Sequence, residues 1–327
     1  MPGPARLESI VRQFACKRIL VIGDVMLDIF IRGKVSRISP EAPVPVVAVE
    51  KEEAYPGGAA NVARNLAALG ASASLLGRVG RDGHADCLAA VLAAAGIDTS
   101  LLIRSDAVPT TIKTRVIART QQVVRVDREK RERLSGPDLA SAQSAIARAI
   151  PASDAVIVED YGKGMVTLAL AEAIAGACRA HDRIWTVDPS PDNPIAWPGP
   201  TAVKPNRHEA FVAAGQPPSE DPGALADLGP RLLDLWRAGM VLVTLGEHGM
   251  ELFQRDSTRY HSPTKAREVF DVSGAGDTAI AVFTLALASG ATPIEATELA
   301  NHAAGVVVAK LGTATLTSDE LLASFLQ

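Results

Sequence analysis

The sequence is poor in the residues that staple small extracellular folds. Three cysteines, Cys16, Cys87 and Cys178, stand far apart in 327 residues. No CxxC or Cys/His spacing marks a metal site, and a scattered odd count makes no disulfide framework. Reduced thiols in a cytoplasmic protein are the expectation. An excess of basic charge is also missing: 33 Lys+Arg face 37 Asp+Glu. That disfavours nucleic-acid binding, which needs clustered Lys and Arg. The first residues, Met1-Pro-Gly-Pro-Ala-Arg-Leu-Glu8, lack a positive region followed by an apolar stretch, so no secretory signal is expected. Apolar runs are too short to span a bilayer or are broken by acids such as Asp24 and Asp28, so no membrane segment is expected. Repeats and low-complexity tracts are absent too.

What is present is ordinary globular composition, 47% hydrophobic and 21% charged, in a chain long enough to bury a large core. Short apolar runs alternate with amphipathic helices, which predicts an α/β fold: a doubly wound, mainly parallel sheet with helices on both faces. Strands are expected at Arg18–Gly23, Ala73–Gly77, Ala155–Glu159, Ile184–Asp188, Thr201–Lys204 and Met240–Thr244, each rich in Val, Ile or Leu. Helices are expected at Asn61–Leu69, at His84–Ala95, from a Ser135 cap to Ile150, at Arg207–Ala214 under an Asn206 cap, and from Pro293 to Lys310, with Gly70 and Gly96 as stops. Two stretches break the alternation, residues 32–55 with three prolines and residues 110–127 with alternating cations. Both are assigned to a small β-sheet lid on one domain spanning 1–327; ordinary surface hairpins would read the same way.

Six segments can carry chemistry. Phe270-Asp-Val-Ser-Gly-Ala-Gly-Asp-Thr278 leads into the apolar run Ala279–Ala288. Gly274, Ala275 and Gly276 would let backbone N–H groups approach a phosphoryl group at a helix N-terminus. Asp277 would sit in the first turn, its pKa held low, ready to take a hydroxyl proton. A tight helix start with Asp277 as a mere cap explains the same letters. Pro56-Gly-Gly-Ala-Ala-Asn61 offers Gly57, Gly58 and Asn61 to a sugar, or is a turn with an N-cap. Asp28, an acid among apolar neighbours, needs donors such as sugar hydroxyls, or lies exposed at a strand end. Asn206 and Glu209 form a capping box, or Glu209 serves Mg²⁺ through water. Thr244 to Gly249 is a nucleotide-edge turn or a hairpin. Lys163, in Asp160-Tyr-Gly-Lys-Gly164, follows a strand end where ligands of such sheets collect, or is a surface lysine.

Glycine signatures of other nucleotide binders are missing. The loop Gly77–Gly83 lacks the GK[ST] of a P-loop, and the first strand ends Gly23-Asp-Val-Met26. A dinucleotide oxidoreductase needs G-x-G-x-x-G there.

Taken together, the segments resemble the ribokinase-like (PfkB) family of carbohydrate kinases, in the family's order and over nearly the whole chain. The late Asp271-Val-Ser-Gly-Ala-Gly-Asp277 is the most specific match. The resemblance implies a doubly wound domain with a β lid that often forms a homodimer. It implies ATP and Mg²⁺ as cofactors, Gly274, Ala275 and Gly276 as anion hole, and Asp277 as base. Asp28, Gly57, Gly58 and Asn61 would bind the sugar, and Asn206 and Glu209 would serve Mg²⁺ and phosphate. Thr244, Gly246, Gly249 and Asn301 would lie along the nucleotide. Val272 stands where many members carry Thr, which weakens any claim for an activating monovalent cation.

Within the family, Ser36-Arg-Ile-Ser-Pro-Glu-Ala-Pro-Val-Pro-Val46, Asp160–Gly164 and Lys204-Pro-Asn-Arg-His-Glu209 are similar to bacterial heptose-phosphate kinases. These phosphorylate O1 of D-glycero-β-D-manno-heptose 7-phosphate for lipopolysaccharide core synthesis. The chain ends at Gln327 soon after the kinase pattern, so a stand-alone kinase is expected. A phosphorylated sugar needs cations. Arg37, Lys113, Arg115, Arg119, Arg125 and Lys163 are available, with Arg119 and Lys163 singled out. Another sugar or sugar acid remains the alternative acceptor. A non-catalytic sensor is a third reading, against which an intact Asp277 argues.

Overall fold

The structure is a computed structural model and describes residues 3–119, 121–266 and 268–325. Its strands run in chain order β1 (Arg18–Gly23), β2 (Val25–Ile38), β3 (Pro45–Gly58), β4 (Ser72–Leu76), β5 (Arg78–Gly80), β6 (Ile103–Ser105), β7 (Thr111–Ala118) and β8 (Gln121–Arg128). They continue as β9 (Ala155–Glu159), β10 (Ile184–Asp188), β11 (Ala202–Val203), β12 (Met240–Thr244), β13 (Met250–Gln254) and β14 (Arg259–Ser262). The main sheet has the order β14-β13-β12-β11-β10-β9-β1-β4. It is parallel from β12 to β4, and β13 pairs antiparallel with both β12 and β14.

The central strands are apolar throughout because both faces are covered. Ile19, Val21 and Ile157 point into one core with helices Ala59–Ala68, Ala275–Ala288 and Pro293–Val308. Leu20, Ile22, Val156 and Val158 point into a second core with helices Gly136–Ala149, Leu168–Ala180 and Pro222–Leu235. The chain leaves β1 toward β4 on one side and returns to β9 on the other. Between β1 and β9 the order reverses, and a crevice opens beyond the strands' carboxyl ends.

The lid is a second sheet, β3-β2-β7-β8. Both stretches that break the alternation fall in it, but it begins earlier than the sequence suggests. Asp24 N–H donates to Glu159 O (3.0 Å) and turns the chain; β2 starts at Val25. Asp28 is therefore a lid residue and not the end of the first strand. Its neighbours alternate: Asp28, Phe30, Lys113, Arg115, Arg125 and Asp127 share one face by register, and Ile29, Ile31, Thr114, Val116, Val124 and Val126 share the other.

Three boundaries are corrected. The early helix is capped by Gly58, so Asn61 lies inside its first turn. The strand expected at Thr201–Lys204 shrinks to Ala202–Val203 between Pro200 and Pro205, neither of which can donate to a ladder. The late helix stops at Val308, because Phe270 N–H and Asp271 N–H take the Val308 carbonyl.

Candidate active site

The helix Ala275–Ala288 opens with Gly274 at φ 81°, a left-handed cap. A Cβ there would also lie 2.9 Å from Asn61 Nδ2, so glycine is needed for both conformation and space. The first amides of the helix have no intrahelical acceptor and face the crevice with the positive end of the dipole. Asp277, in that turn, is buried. Asn61 Nδ2 donates to its Oδ2 (2.7 Å) and Tyr161 Oη donates to its Oδ1 (2.8 Å). Burial pushes its pKa up to about 6; the Asn61 and Tyr161 bonds oppose this, Asp188 adds to it and Lys204 opposes it. The expectation of a carboxyl held low is thus wrong: the helix end does not outweigh the loss of water. A base with that pKa is well matched to neutral pH.

Around Asp277 the sheet delivers charges from its strand ends. Glu159 closes β9, Asp188 closes β10 and Lys204 follows β11. Carboxylate oxygens of Glu159, Asp188 and Asp277 lie within 4.8 Å of one another. Lys204 Nζ sits 2.8 Å from Asp188 Oδ2. Among the described residues Glu159 Oε2 is buried without a partner, and burial with two neighbouring acids raises the Glu159 pKa well above its ordinary value. Asn206 and Glu209 do form the capping box. Burial, with Asp188 beside it, pushes the Glu209 carboxyl to about 7, so the cap also belongs to this acidic cluster.

Glu159, Asp188, Lys204, Tyr161 and Asp24 were not foreseen. The signal was available: three of the six expected strands end in a charge, at Glu159, Asp188 and Lys204, and strand ends of such sheets meet at the crevice. Asp24 accepts from the backbone N–H groups of Tyr161 (2.9 Å), Lys163 (3.0 Å) and Met165 (3.0 Å). It ties the loop that carries Tyr161 to the end of β1.

On the acceptor side, a Cβ at Gly57 would lie 2.2 Å from Asp28 Oδ2, and one at Gly58, where φ is 59°, would lie 2.5 Å from Asp24 O. Asp28 is buried and ion-paired with Arg115. Among the described residues Asn61 Oδ1 is buried without a partner, while its Nδ2 is held by Asp277. Lys163 stands at the rim, paired with Glu129 at 2.6 Å. Arg119 is not brought here. It lies in the β7–β8 turn at φ 57°, exposed, six residues along from Lys113, roughly 20 Å at strand rise.

The nucleotide-side residues do converge. Thr244, Gly246, Gly249 and Asn301 line one largely apolar cavity of about 350 Å³, which also includes Ala275 and Gly276. Its size suits a small-molecule site. Asn301 is spent on structure: its Nδ2 donates to Ser262 Oγ (2.8 Å) and to Pro263 O (2.7 Å), fixing the end of β14 against the cavity wall. A larger cavity of about 760 Å³, between β6 and helix Gly136–Ala149, shares no residue with the acidic cluster.

A glycine-rich helix start holding a buried carboxyl, with an apolar slot on one side and a lidded polar recess on the other, is an arrangement that suits phosphoryl transfer. The chain belongs to the pfkB family of carbohydrate kinases, whose model matches residues 17–320; it is a kinase with an alcohol group as acceptor, and kinases of this family use ATP. The chain is 46% identical over 97% of its length to the bifunctional protein HldE of Caulobacter vibrioides and 43% identical over 96% to that of Desulfatibacillum aliphaticivorans. It spans only 65% and 64% of those proteins. Among solved structures it resembles Arabidopsis thaliana ribokinase complexed with ribose and ATP (TM-score 0.71, 19% identity, covering 94% of this chain and 98% of that one). It also resembles phosphofructokinase-2 of Escherichia coli in complex with potassium (TM-score 0.76, 19% identity, covering 95% and 98%). These two show the ribokinase-like fold.

Proposed function

We propose that this protein transfers the γ-phosphoryl group of ATP to O1 of D-glycero-β-D-manno-heptose 7-phosphate, in the cytoplasm, giving the 1,7-bisphosphate used in lipopolysaccharide core synthesis. The observation that carries the reading is Asp277, buried in the first turn after Gly274-Ala-Gly276 and held between Asn61 and Tyr161. Asn61 and Tyr161 fix the carboxylate so that a remaining lone pair takes the acceptor proton. The amides after Gly274 receive the charge that builds on the transferring group. Asp28, Gly57, Gly58 and Asn61 form the acceptor side, and Thr244, Gly246 and Gly249 the nucleotide side.

Mg²⁺ fits the donor set, because the clustered oxygens of Glu159 and Asp188 and the unpartnered Glu159 Oε2 are hard oxygen donors, and a cation would displace the proton that burial and neighbouring acids hold on Glu159. Glu209 would act through water. The ion would neutralise charge on the nucleotide phosphates.

The heptose acceptor is supported by the segments Ser36–Val46 and Asp160–Gly164 and by the identity to bifunctional HldE proteins. The lid is read as the dimer surface. Its outer face leaves Val124 and Val126 47% and 56% exposed, apolar area that a second lid would cover. The first measurement is coupled ADP release with Mg-ATP on four acceptors: heptose 7-phosphate (β-anomer), fructose 6-phosphate, ribose and ketodeoxygluconate. Turnover concentrated on the heptose supports the reading. Turnover on another sugar alone keeps the Asp277 chemistry and removes the heptose.

A further inference from the structure

The cleft-side face of the lid carries more positive charge than its own acids neutralise. Arg115 is ion-paired with Asp28, Arg125 Nη2 lies 2.9 Å from Asp127 Oδ2, and Lys163 Nζ lies 2.6 Å from Glu129 Oε2. Lys113 stands on the same face, in register with Asp28 on one strand and Asp127 on the other. Yet among the described residues its ammonium has no carboxylate partner and no hydrogen bond. It lies instead over the ring of Tyr161, 5.6 Å from the centroid. The hydroxyl of that ring donates to Asp277. One aromatic side chain therefore separates the surplus cation from the base, a spacing on the scale of a sugar.

A half-buried ammonium without a counter-ion is costly, and a cation–π contact offsets only part of that cost. Burial lowers the Lys113 pKa; Asp28 opposes this, and Lys163 and Arg125 add to it. An anion entering the recess would relieve all three effects at once.

We propose that Lys113 is the acceptor-selecting cation: it binds the distal phosphate of a sugar whose other end is presented to Asp277. This rests on the reading of the acceptor as a sugar phosphate, and it assigns to one residue what the sequence left spread over six. Arg115, Arg125 and Lys163 hold their acids and shape the recess, and Lys113 supplies the unmatched charge. Arg119, at the far turn, has no part in it within one chain.

The test compares Lys113→Met and Lys113→Arg with wild type on matched acceptor pairs, heptose 7-phosphate against heptose and fructose 6-phosphate against fructose. The readout is the ratio of kcat/KM between the phosphorylated and unphosphorylated members. In Lys113→Met that ratio should fall about 10- to 100-fold, the worth of a charge-assisted hydrogen bond, and Lys113→Arg should recover most of it. An equal loss on both members, or no loss on either, overturns the assignment. If wild type turns over fructose 6-phosphate and not the heptose, the heptose reading fails while Lys113 is still judged on the fructose pair. A wild type that prefers an unphosphorylated acceptor overturns the Lys113 role itself.

Discussion

The acids of the strand ends and the acids of the lid respond to their surroundings in opposite directions. Under the main sheet's edge, burial dominates: Asp160 and Glu209 are pushed to about 7 and Asp277 to about 6. On the lid, the Lys51 hydrogen bond draws Glu53 below its ordinary value, and at Glu129 burial is the largest single effect but the bonds and charges of Lys163 and Arg131 together outweigh it. The first region spends stability to place ionisable groups out of water. The second holds its charges in pairs near solvent, where each is worth little. The proposed function would ask for just those opposite choices: a floor fixed and poised to exchange a proton, and a cover able to open without breaking strong bonds.

The sharpest way to test the floor is to remove its base. Asp277→Asn keeps the shape and the Tyr161 contact but cannot accept a proton. Turnover should fall by about 10³-fold or more, with nucleotide binding retained by calorimetry. Substantial residual turnover would show that Asp277 is not the base. Next in size is Lys204→Met. It leaves the part-buried Asp188 beside buried Glu159 without its counter-charge, so urea unfolding should show a loss of about 2–4 kcal/mol. The matching cut on the lid, Lys51→Met, should leave the urea midpoint essentially where it is, because an exposed pair is screened by solvent.

The two regions were also unequally legible in the sequence. The parallel core reads directly, because strands buried on both faces are continuous runs such as Ile19-Leu-Val-Ile22 and glycines mark the helix stops. Asp277, Gly246 and Gly249 belong to local motifs, so spacing alone brings them forward as candidates. What could not be read is what depends on three dimensions. Asp188 and Glu159 lie on separate strands and meet only at the crevice. The raised Asp277 pKa follows from burial that no local pattern reports. On the lid, six cations were candidates, and only the register of β7 against β2 and β8 shows that Lys113, Arg115 and Arg125 share a face while Arg119 caps a distant turn.

pH sets the two regions against each other. With Asp277 as the proposed base, activity would need its ionised form, so kcat/KM should fall as pH drops through about 6. Tyr161→Phe removes a donor that favours the charged form; the acid limb should then move to higher pH, and an unmoved limb would show that Tyr161 does not tune the base. Stability should run the other way. Acids whose folded pKa is raised stabilise the protein most below their unfolded value near 4 and lose that contribution as pH rises through about 6 to 7. Glu129, held low by Lys163 and Arg131, gains its contribution over the acidic range instead.

The smallest expected effect on a single chain comes from the outer face of the lid. Val126→Asp replaces a 56% exposed side chain on β8, so the folded monomer should change by about 0.5 kcal/mol or less. If two lids pack through this face, the same substitution buries a charge opposite apolar Val124 and Ile31 of a second copy, and sedimentation should shift from dimer toward monomer. If the wild type is monomeric, or the variant remains dimeric, the apolar face of the lid has another role and the dimer reading is withdrawn. The contrast is what makes the experiment informative: a change that one chain barely registers should be decisive for two, whereas Asp277→Asn should leave the assembly intact and abolish turnover.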